Sequence, residues 1–344
     1  MQYIDAFNHF FPTRFFERIG TQNMGKRMRG IPAIYDLDER FRVLDRFDNY
    51  SQVLSLGVPV EFVAGPDTSP ELARIGNDGL AEIVAKHPDR FAGYAASLPL
   101  NAPEFAAKEA ERALSAGANG IQIYTNVDGV PLDDPRFLPI FEIAHRFDRP
   151  LLLHPARGPN VPDYSTEDRS KYEIWAILGW PYETSVAMAR LVFSGIMGRF
   201  PGLKVLTHHL GAMIPYFEAR VAEGWDLLGT RTTEDLSHVL KDLKRRPVDC
   251  FKDFYGDTAL CGSRSGIVCG LDFFGADHVL FGTDSPFDPE YGPGWIRDTI
   301  KVMESIEMST EDREKICFRN AQKLFGLNAA STVKVPQGHV KGNV

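Results

Sequence analysis

The feature that most constrains the fold is a series of short apolar runs, most of them followed by a stretch of helical periodicity. Eight runs are present, at residues 3–7, 52–56, 91–98, 120–124, 150–154, 203–208, 253–257 and 279–283. Short continuous apolar runs are typical of strands that are buried on both faces of a sheet. Amphipathic stretches lie between them, at residues 69–86, 103–116, 135–147, 184–200 and 264–274. The alternation predicts repeated strand–helix units and a parallel sheet.

Two architectures contain such units, a closed barrel and an open doubly wound sheet. Eight repeats favour the closed (β/α)8 barrel. The nucleotide-binding form of the open sheet carries a glycine-rich phosphate loop after an early strand, and neither G-x-G-x-x-G nor G-x-x-x-x-G-K-[ST] occurs in the chain. Because a barrel of about 250 residues with insertions still forms one domain, we expect a single barrel domain at residues 1–327 and a C-terminal tail at residues 328–344.

Two long insertions interrupt the pattern. One follows the fifth predicted strand at residues 158–182 and contains Tyr172, Trp175 and Trp180, and the other follows the sixth at residues 215–252. The loops at the C-terminal ends of barrel strands build the active site in this architecture. The aromatic insertions therefore predict substrate walls or a lid, with a subunit interface as the alternative.

Charge and hydropathy exclude several classes of partner. The net charge is −8 and no long Lys/Arg run is present, so nucleic acid is not an expected partner. No window approaches the roughly 20 apolar residues of a membrane span, and the N-terminus has no basic segment followed by an apolar stretch. The four cysteines form no C-x-x-C pair, which predicts reduced thiols in a cytoplasmic protein.

Side chains that can bind metal follow four of the predicted strands. His9 follows the first strand, His154 ends the fifth, His208 and His209 follow the sixth, and Asp284 follows the eighth. Any one of the histidines could be a hydrogen-bonded core residue, but an aspartate at the end of an apolar strand is unfavourable without a partner. Because these strand ends meet at one face of a barrel, the group predicts a divalent metal site with a proton-transfer residue nearby.

The same strand ends lie in motifs that resemble a known superfamily. The motifs are D-A-F-N-H-F-F-P at residues 5–12, H-P at 154–155, H-L-G at 209–211 and G-T-D-S-P at 282–286. The pattern resembles the amidohydrolase superfamily, and within it the branch of aminocarboxymuconate-semialdehyde and γ-resorcylate decarboxylases. F-Y-G-D-T-A at 254–259 and N-A-Q-K-L-F-G at 320–326 extend the resemblance to about residues 3–327.

The resemblance implies roles for individual residues. His9 and His154 match metal-ligand positions, and Asp284 matches an aspartate that binds metal and takes part in proton transfer. His209 matches a histidine that lies near the substrate as an acid or base, because its spacing fits the H-x-G…P motif better than that of His208. His208 is then interpreted as a residue that supports or packs against the ligands.

One position departs from the family pattern. Phe7 stands where the family has the first histidine of H-x-H or a glutamate, and a phenyl ring cannot bind metal. Asn8 could substitute only if the strand contained a bulge. The remaining ligands, His9, His154 and Asp284, suit one divalent ion, with zinc expected first and manganese or iron as alternatives.

The resemblance implies a metal-dependent, non-oxidative decarboxylase of an aromatic or enol-type carboxylic acid. Asp284, alone or through His209, would protonate the ring carbon that carries the carboxylate. The alternative is a metal-dependent hydrolase or hydratase acting on an amide, ester or lactone, because one metal and one carboxylate serve both reactions.

Three further residues are candidates for substrate binding. Arg157 could pair with a substrate carboxylate or be a solvated loop residue, while Trp180 and Phe287 could line the pocket or pack at an interface. The expected partners are a small carboxylic acid and further copies of the chain, as a dimer or a larger homo-oligomer.

Overall fold

The computed structural model describes residues 1–20 and 26–327, and the predicted tail at residues 328–344 lies outside them. The described strands are β1 Tyr3–His9, β2 Tyr50–Ser55, β3 Phe91–Ser97, β4 Gly120–Tyr124, β5 Asn126–Val127, β6 Val130–Pro131, β7 Leu151–His154, β8 Val205–Thr207, β9 Tyr255–Asp257 and β10 Val279–Leu280. Eight of them form one sheet in the order β1-β2-β3-β4-β7-β8-β9-β10, and β5 and β6 form a separate two-stranded sheet. All neighbouring strands of the large sheet are parallel. The predicted (β/α)8 architecture is confirmed.

Helices surround this sheet. They are α1 Thr13–Ile19, α2 Lys26–Arg29, α3 Leu37–Leu44, α4 Val60–Val63, α5 Ser69–Lys86, α6 Pro103–Ser115, α7 Leu138–Arg146, α8 Ile174–Ile177, α9 Gly179–Phe193, α10 Ile196–Arg199, α11 Glu218–Asp226, α12 Ser237–Leu243, α13 Pro247–Phe251, α14 Arg264–Phe274, α15 Pro293–Ser305, α16 Thr310–Glu314 and α17 Asn320–Phe325. Short 3-10 turns occupy Pro32–Ile34 and Pro135–Phe137, and a π-helical turn occupies Lys315–Arg319. No helix in the described ranges has the length and apolar character that crossing a membrane requires.

Most predicted helices have the expected bounds, and the exceptions have local causes. The stretch predicted at residues 184–200 is divided into α9 and α10 because Gly195 adopts a φ of +79° between them. The stretch at 135–147 begins as a 3-10 turn, in which the side chain of Asp134 accepts a hydrogen bond from Arg136 N. The first insertion contains α8 and the start of α9, and the second contains α11, α12 and α13.

The N-terminal half of the barrel is filled with apolar side chains. Six strands contribute to this inner cluster: β1 supplies Ile4, Ala6 and Phe7, and β2, β3, β7, β8 and β10 supply Val53, Ala95, Leu152, Leu206 and Leu280. Leu324 and Phe325 of α17 pack against the same cluster. The carbonyl of Phe325 accepts hydrogen bonds from Asn119 and Arg149, which precede β4 and β7. Helix α17 therefore closes the N-terminal end of the barrel, and polar chemistry is left to the opposite end.

Backbone hydrogen bonds join the last strand to the first. Ala6 N donates to Phe281 O at 2.9 Å, Asp284 N donates to Phe7 O at 3.0 Å, and His9 N donates to Ser285 O at 2.9 Å. The register between β1 and β2 shifts between Asp5 and Asn8. The hydrogen bonds to residues 281 and 285 bring the end of β1 beside the segment that follows β10, and we call this junction the barrel seam.

Candidate active site

Four side chains converge at the C-terminal end of the barrel: His9, His154, His208 and Asp284. One ligand atom of each lies within 4.8 Å of the others. His9 Nε2 and His208 Nε2 lie 3.3 Å and 3.4 Å from Asp284 Oδ1. Three of the residues come from the ends of β1, β7 and β8, and Asp284 comes from the segment after β10. We call these four residues the metal cluster.

The three imidazoles of the metal cluster are oriented by acceptors on their outer nitrogens. His9 Nδ1 faces Leu56 O at 3.1 Å, His154 Nδ1 faces Pro155 O at 2.8 Å, and His208 Nδ1 faces Asp257 Oδ2 at 2.6 Å. A carbonyl or an ionised carboxylate only accepts, so each Nδ1 carries hydrogen and a neutral ring presents its lone pair at Nε2. The buried Nε2 atoms of His9 and His208 have no hydrogen-bond partner among the described residues. Histidines that bind a metal ion are held in this way, so the donor set fits one divalent cation.

Two fully buried residues fix the backbone on both sides of the barrel seam. Asp5 accepts hydrogen bonds from Thr283 N at 3.1 Å and Thr283 Oγ1 at 2.5 Å, and another from the hydroxyl of Tyr50. Burial raises the pKa of Asp5 to about 6 against the lowering effect of these hydrogen bonds. Arg40 donates to His9 O and to Ser285 Oγ, and burial lowers its pKa to about 10. Asp5 and Arg40 therefore hold the segments that carry His9 and Asp284.

The backbone at the site is strained. His209, Leu210, Ala212 and Asp284 have φ values of 58°, 54°, 54° and 60°, a left-handed region that residues with a Cβ rarely adopt. Such conformations cost of order 1–3 kcal/mol each and concentrate at functional sites. The turn after β8 and the turn at Asp284 are therefore held by their surroundings rather than by local preference.

Burial and mutual charge set the protonation of the metal cluster. Burial lowers the pKa of His9, and burial together with the neighbouring imidazoles holds the pKa of His154 well below its usual range. Burial opposes ionisation of Asp284, but the imidazoles of His208, His209 and His9 outweigh it and hold its pKa well below the usual range. Burial also opposes protonation of His208, yet Asp257 and Asp284 raise its pKa to about 10. Positive charge is thus favoured between the carboxylates of Asp257 and Asp284. It can be supplied by a proton on His208 or by a metal ion that takes the place of this proton.

The predicted ligands His9, His154 and Asp284 lie together, and His208 joins them. The sequence analysis interpreted His208 as a supporting or packing residue, whereas the structure places it in the metal cluster. The reason is strand alternation: Leu206 faces the barrel interior, and His208 continues the ladder by donating its amide to Leu153 O at 3.0 Å. The same inward row that contains Leu206 therefore includes His208. The two-residue spacing between Leu206 and His208 is the sequence signal that identifies His208 as an inward-facing residue.

His209 lies beside the metal cluster. Its ring centroid is 3.9 Å from that of His208, and its Nε2 is 3.9 Å from Asp284 Oδ2. Its Nδ1 is buried without a hydrogen-bond partner among the described residues, and burial followed by the charge of His208 lowers its pKa. A neutral imidazole at this place can exchange a proton with Asp284. Its role as acid or base stays a prediction.

Phe7 forms one wall of the metal cluster. Its ring stacks on His208 with centroids 4.0 Å apart and an interplanar angle of 20°. Its centroid lies 5.8 Å from His9 and 6.0 Å from His154. Although β1 does contain an irregularity, Asn8 donates to Val53 O and Asp5 O and is not part of the cluster. The imidazole of His208 thus lies directly against Phe7, at the position where the sequence resemblance predicts a ligand.

The three predicted substrate-binding residues have different surroundings. The ring of Trp180 lies 6.0 Å from His154, and the ring of Phe287 lies 5.6 Å from His9. Both therefore border the metal cluster. Arg157 is already paired with Glu183 at 2.8 Å and accepts the indole N–H of Trp180 at its carbonyl. Arg157 positions Trp180, and direct contact of any of the three with substrate stays a prediction.

Comparison with known proteins places the chain in a family. Residues 4–327 match the family model described as Amidohydrolase, and the chain belongs to that family. It is 34% identical over 304 residues to a gamma-resorcylate decarboxylase of a Polaromonas species, covering 85% of this chain and 87% of that protein. It is 33% identical over 310 residues to the 2-amino-3-carboxymuconate-6-semialdehyde decarboxylase of Dictyostelium discoideum, covering 88% and 80%.

A solved structure has the same fold. The dihydroxybenzoic acid decarboxylase of Polaromonas sp., crystallised with manganese and the inhibitor 2-nitroresorcinol, superimposes with a TM-score of 0.78 at 29% identity. The match covers 96% of this chain and 98% of that one. The predicted membership of the amidohydrolase superfamily, in its decarboxylase branch, is confirmed.

Proposed function

We propose that the protein is a metal-dependent, non-oxidative decarboxylase of an aromatic or enol-type carboxylic acid. The observation that carries the proposal is the group of three oriented imidazoles and one carboxylate, whose ligand atoms lie within 4.8 Å of one another. The two relatives at 34% and 33% identity are decarboxylases, which favours this reaction over hydrolysis or hydration. The inhibitor-bound relative supports a hydroxylated aromatic acid as the substrate class.

We propose that His9, His154, His208 and Asp284 together hold one divalent ion. Three imidazole nitrogens and one carboxylate oxygen form a nitrogen-rich set that favours zinc, whereas the related crystal structure contains manganese. When bound, the ion supplies Lewis-acid polarisation of the substrate carboxylate and the oxygen next to it. The ring of Phe7 and the side chains of Trp180 and Phe287 border the site and limit the access of water.

The residues of the chain then move one proton. Asp284 is ionised in the resting site because its pKa lies well below the usual range, so it first takes up a proton from solvent. His209 Nε2 lies 3.9 Å from Asp284 Oδ2, and the proton then reaches the ring carbon from Asp284, directly or through His209. The bond between that carbon and the carboxyl carbon breaks, carbon dioxide leaves, and the proton remains on the ring. The unpartnered Nδ1 of His209 gives this imidazole a second nitrogen for the relay.

The decisive experiment measures carbon dioxide release from a panel of hydroxybenzoates. Metal-depleted protein is assayed alone and after addition of zinc or manganese. We expect activity only after metal addition, and a fall in kcat of about 10²–10⁴-fold in His209→Asn. The exposed His145→Asn is the matched control and keeps wild-type activity. Activity that survives complete metal removal refutes the metal proposal, and cleaved or hydrated products without carbon dioxide refute decarboxylation.

We further propose that residues 1–327 form one catalytic domain that assembles into a cytoplasmic homo-oligomer. The first insertion exposes Tyr172, Ile177 and Leu178 at 90%, 69% and 66%, and several large apolar side chains exposed in one segment support a subunit contact. Free, buried Cys250 and Cys317 are consistent with a reducing compartment. Light scattering after size exclusion tests the assembly, and a monomer at micromolar concentration refutes it.

A further inference from the structure

A second carboxyl near the barrel mouth, that of Glu61, has no hydrogen-bond partner on another residue that the structure describes. Glu61 in α4 is only 8% exposed, and neither of its side-chain oxygens makes a hydrogen bond with a described residue. The charged residue that affects the pKa of Glu61 is Asp128, which carries a charge of the same sign and raises that pKa. Burial raises the pKa of Glu61 to about 8, so at neutral pH the group is a neutral carboxylic acid with one donor and free acceptors.

The segment that leads into α4 and Glu61 contacts the metal cluster. Leu56, directly after β2, accepts His9 Nδ1 at 3.1 Å and Gln122 Nε2 at 2.9 Å through its carbonyl. Gly57 is so close to His9 that an added Cβ would lie 3.2 Å from the His9 Cβ. Helix α4 begins at Val60, so Glu61 lies a few residues beyond this contact on the same face of the barrel.

Tyr124 connects Glu61 to the metal cluster from another strand. Its ring centroid lies 5.3 Å from that of His154. Burial raises the pKa of Tyr124 well above its usual value, and the charge of Glu61 raises it further. Tyr124 therefore lies beside His154 and within electrostatic range of Glu61.

A comparison within the chain shows that the isolation of Glu61 is unusual. Glu109 is equally buried, at 8% exposure. Its oxygens accept hydrogen bonds from Asn77 Nδ2 and from Nε and Nη2 of Arg112, each at 2.7 Å. An unpartnered buried polar group is unfavourable, so the position of Glu61 opposes stability unless something from outside the chain completes it.

Resting on the proposed function, we propose that Glu61 is a specificity-determining residue that binds a phenolic hydroxyl of the substrate, on the part of the ring away from the metal. A phenolic hydroxyl both donates and accepts, as the neutral carboxyl does, and the ring that carries it would extend from the metal cluster past Tyr124. A substrate without such a hydroxyl leaves the carboxyl unpartnered, which is how a buried polar residue discriminates between related ligands.

The test compares substrates with and without a second hydroxyl. The metal-loaded wild type, Glu61→Gln and Glu61→Leu are assayed with 2-hydroxybenzoate and with dihydroxybenzoates that differ in the position of the second hydroxyl. The substrate ratio is kcat/KM for a dihydroxybenzoate divided by kcat/KM for 2-hydroxybenzoate. For at least one dihydroxybenzoate, we expect Glu61→Leu to lower this ratio by about tenfold, the equivalent of one hydrogen bond. Glu61→Gln should lower the ratio less. An unchanged ratio for every position in Glu61→Leu overturns the proposal.

Two further measurements separate this proposal from the proposed function. Calorimetry with phenol, resorcinol and catechol measures ligand preference without turnover, so a loss of preference in Glu61→Leu supports the role of Glu61 even if no carbon dioxide forms. Glu109→Gln is the matched control, which should be less stable than the wild type but keep its substrate ratio. Equal changes of the ratio in Glu109→Gln and Glu61→Leu would show a general packing effect and overturn the proposal.

Discussion

Replacement of Asp257 by asparagine tests whether His208 is a metal ligand. Asp257 Oδ2 accepts His208 Nδ1 at 2.6 Å, and Oδ1 accepts the backbone amides of His209 at 3.1 Å and Ala259 at 3.0 Å. Both Asp257 and His208 have 0% exposure. Asparagine keeps one oxygen and replaces the other with an amide NH2 group. Its single oxygen can therefore accept either from His208 Nδ1 or from the two backbone amides, but not from both.

The energies decide which contacts are kept. If the amide oxygen turned to His208, two buried backbone N–H groups would lose their acceptor, at about 1–3 kcal/mol each. The oxygen therefore stays on the two amides, and the amino group faces His208 Nδ1. That nitrogen must then accept, which moves the ring hydrogen to Nε2 and removes the lone pair that faces Asp284. Loss of such a supporting residue lowers metal affinity about 10–100-fold, or about 1.4–2.7 kcal/mol.

The assay is competition between the metal-depleted protein and a chromophoric chelator, with zinc and with manganese. The control is Asp288→Asn, because Asp288 is also buried, at 1% exposure. Among the described residues, its side chain accepts hydrogen bonds only from the backbone amides of Glu290, Gly292 and Gly294. We expect weaker metal binding in Asp257→Asn and unchanged binding in Asp288→Asn. Wild-type affinity in a folded Asp257→Asn variant, judged by circular dichroism, would refute the tautomer argument.

Three more changes follow from the same contacts. His208→Phe should weaken metal binding more than tenfold, and wild-type affinity in this variant would refute the ligand role. The double variant Phe7→His/His208→Phe moves the imidazole across a 4.0 Å ring stack and should recover part of the lost metal affinity. Because the pKa of Glu61 rises from 4.5 to about 8 on folding, the unfolded chain ionises first and stability falls as pH rises from 4.5 to 8 by about 3–5 kcal/mol. Urea unfolding of Glu61→Gln should lack this component, and an identical pH slope in both proteins would contradict the assignment. Phe325→Ala removes the fully buried ring that closes the barrel and should cost about 3–5 kcal/mol in urea unfolding, whereas a loss below 1 kcal/mol would mean that α17 does not stabilise the barrel.

Much of the fold was predictable because buried parallel strands leave a strong sequence signal. Each of the eight predicted runs contains or overlaps one barrel strand, although the runs at 203–208 and 279–283 extend beyond β8 and β10. On the side of the site the extra residues are His208 after β8 and residues 281–283 after β10, and a sequence pattern does not separate them from the strand. The small sheet of β5 and β6 was not predicted, because two-residue strands carry no periodicity.

The candidate site was predictable only in part. His9, His154 and Asp284 were found because each ends or follows an apolar run, whereas His208 required the inward register of β8 to be known. Glu61 gave no signal, because one glutamate in a four-residue helix resembles any surface residue in the sequence. Its isolation depends on the absence of a partner in three dimensions, which neither composition nor spacing encodes.

The contact between Phe7 and His208 is consistent with a site that offers four candidate ligands although a phenyl ring occupies position 7, where the sequence resemblance predicts a ligand. The position of a ligand in the chain matters less than the point at which its strand end reaches the centre of the barrel mouth. Phe7 and His208 lie on different strands, yet their rings are in stacking contact. Asp257 supplies the acceptor that orients His208, so the imidazole comes with its own support. In the proposed site, the ligand lost from β1 is therefore replaced by one from the end of β8, and the phenyl ring of Phe7 becomes the wall against which that ligand packs.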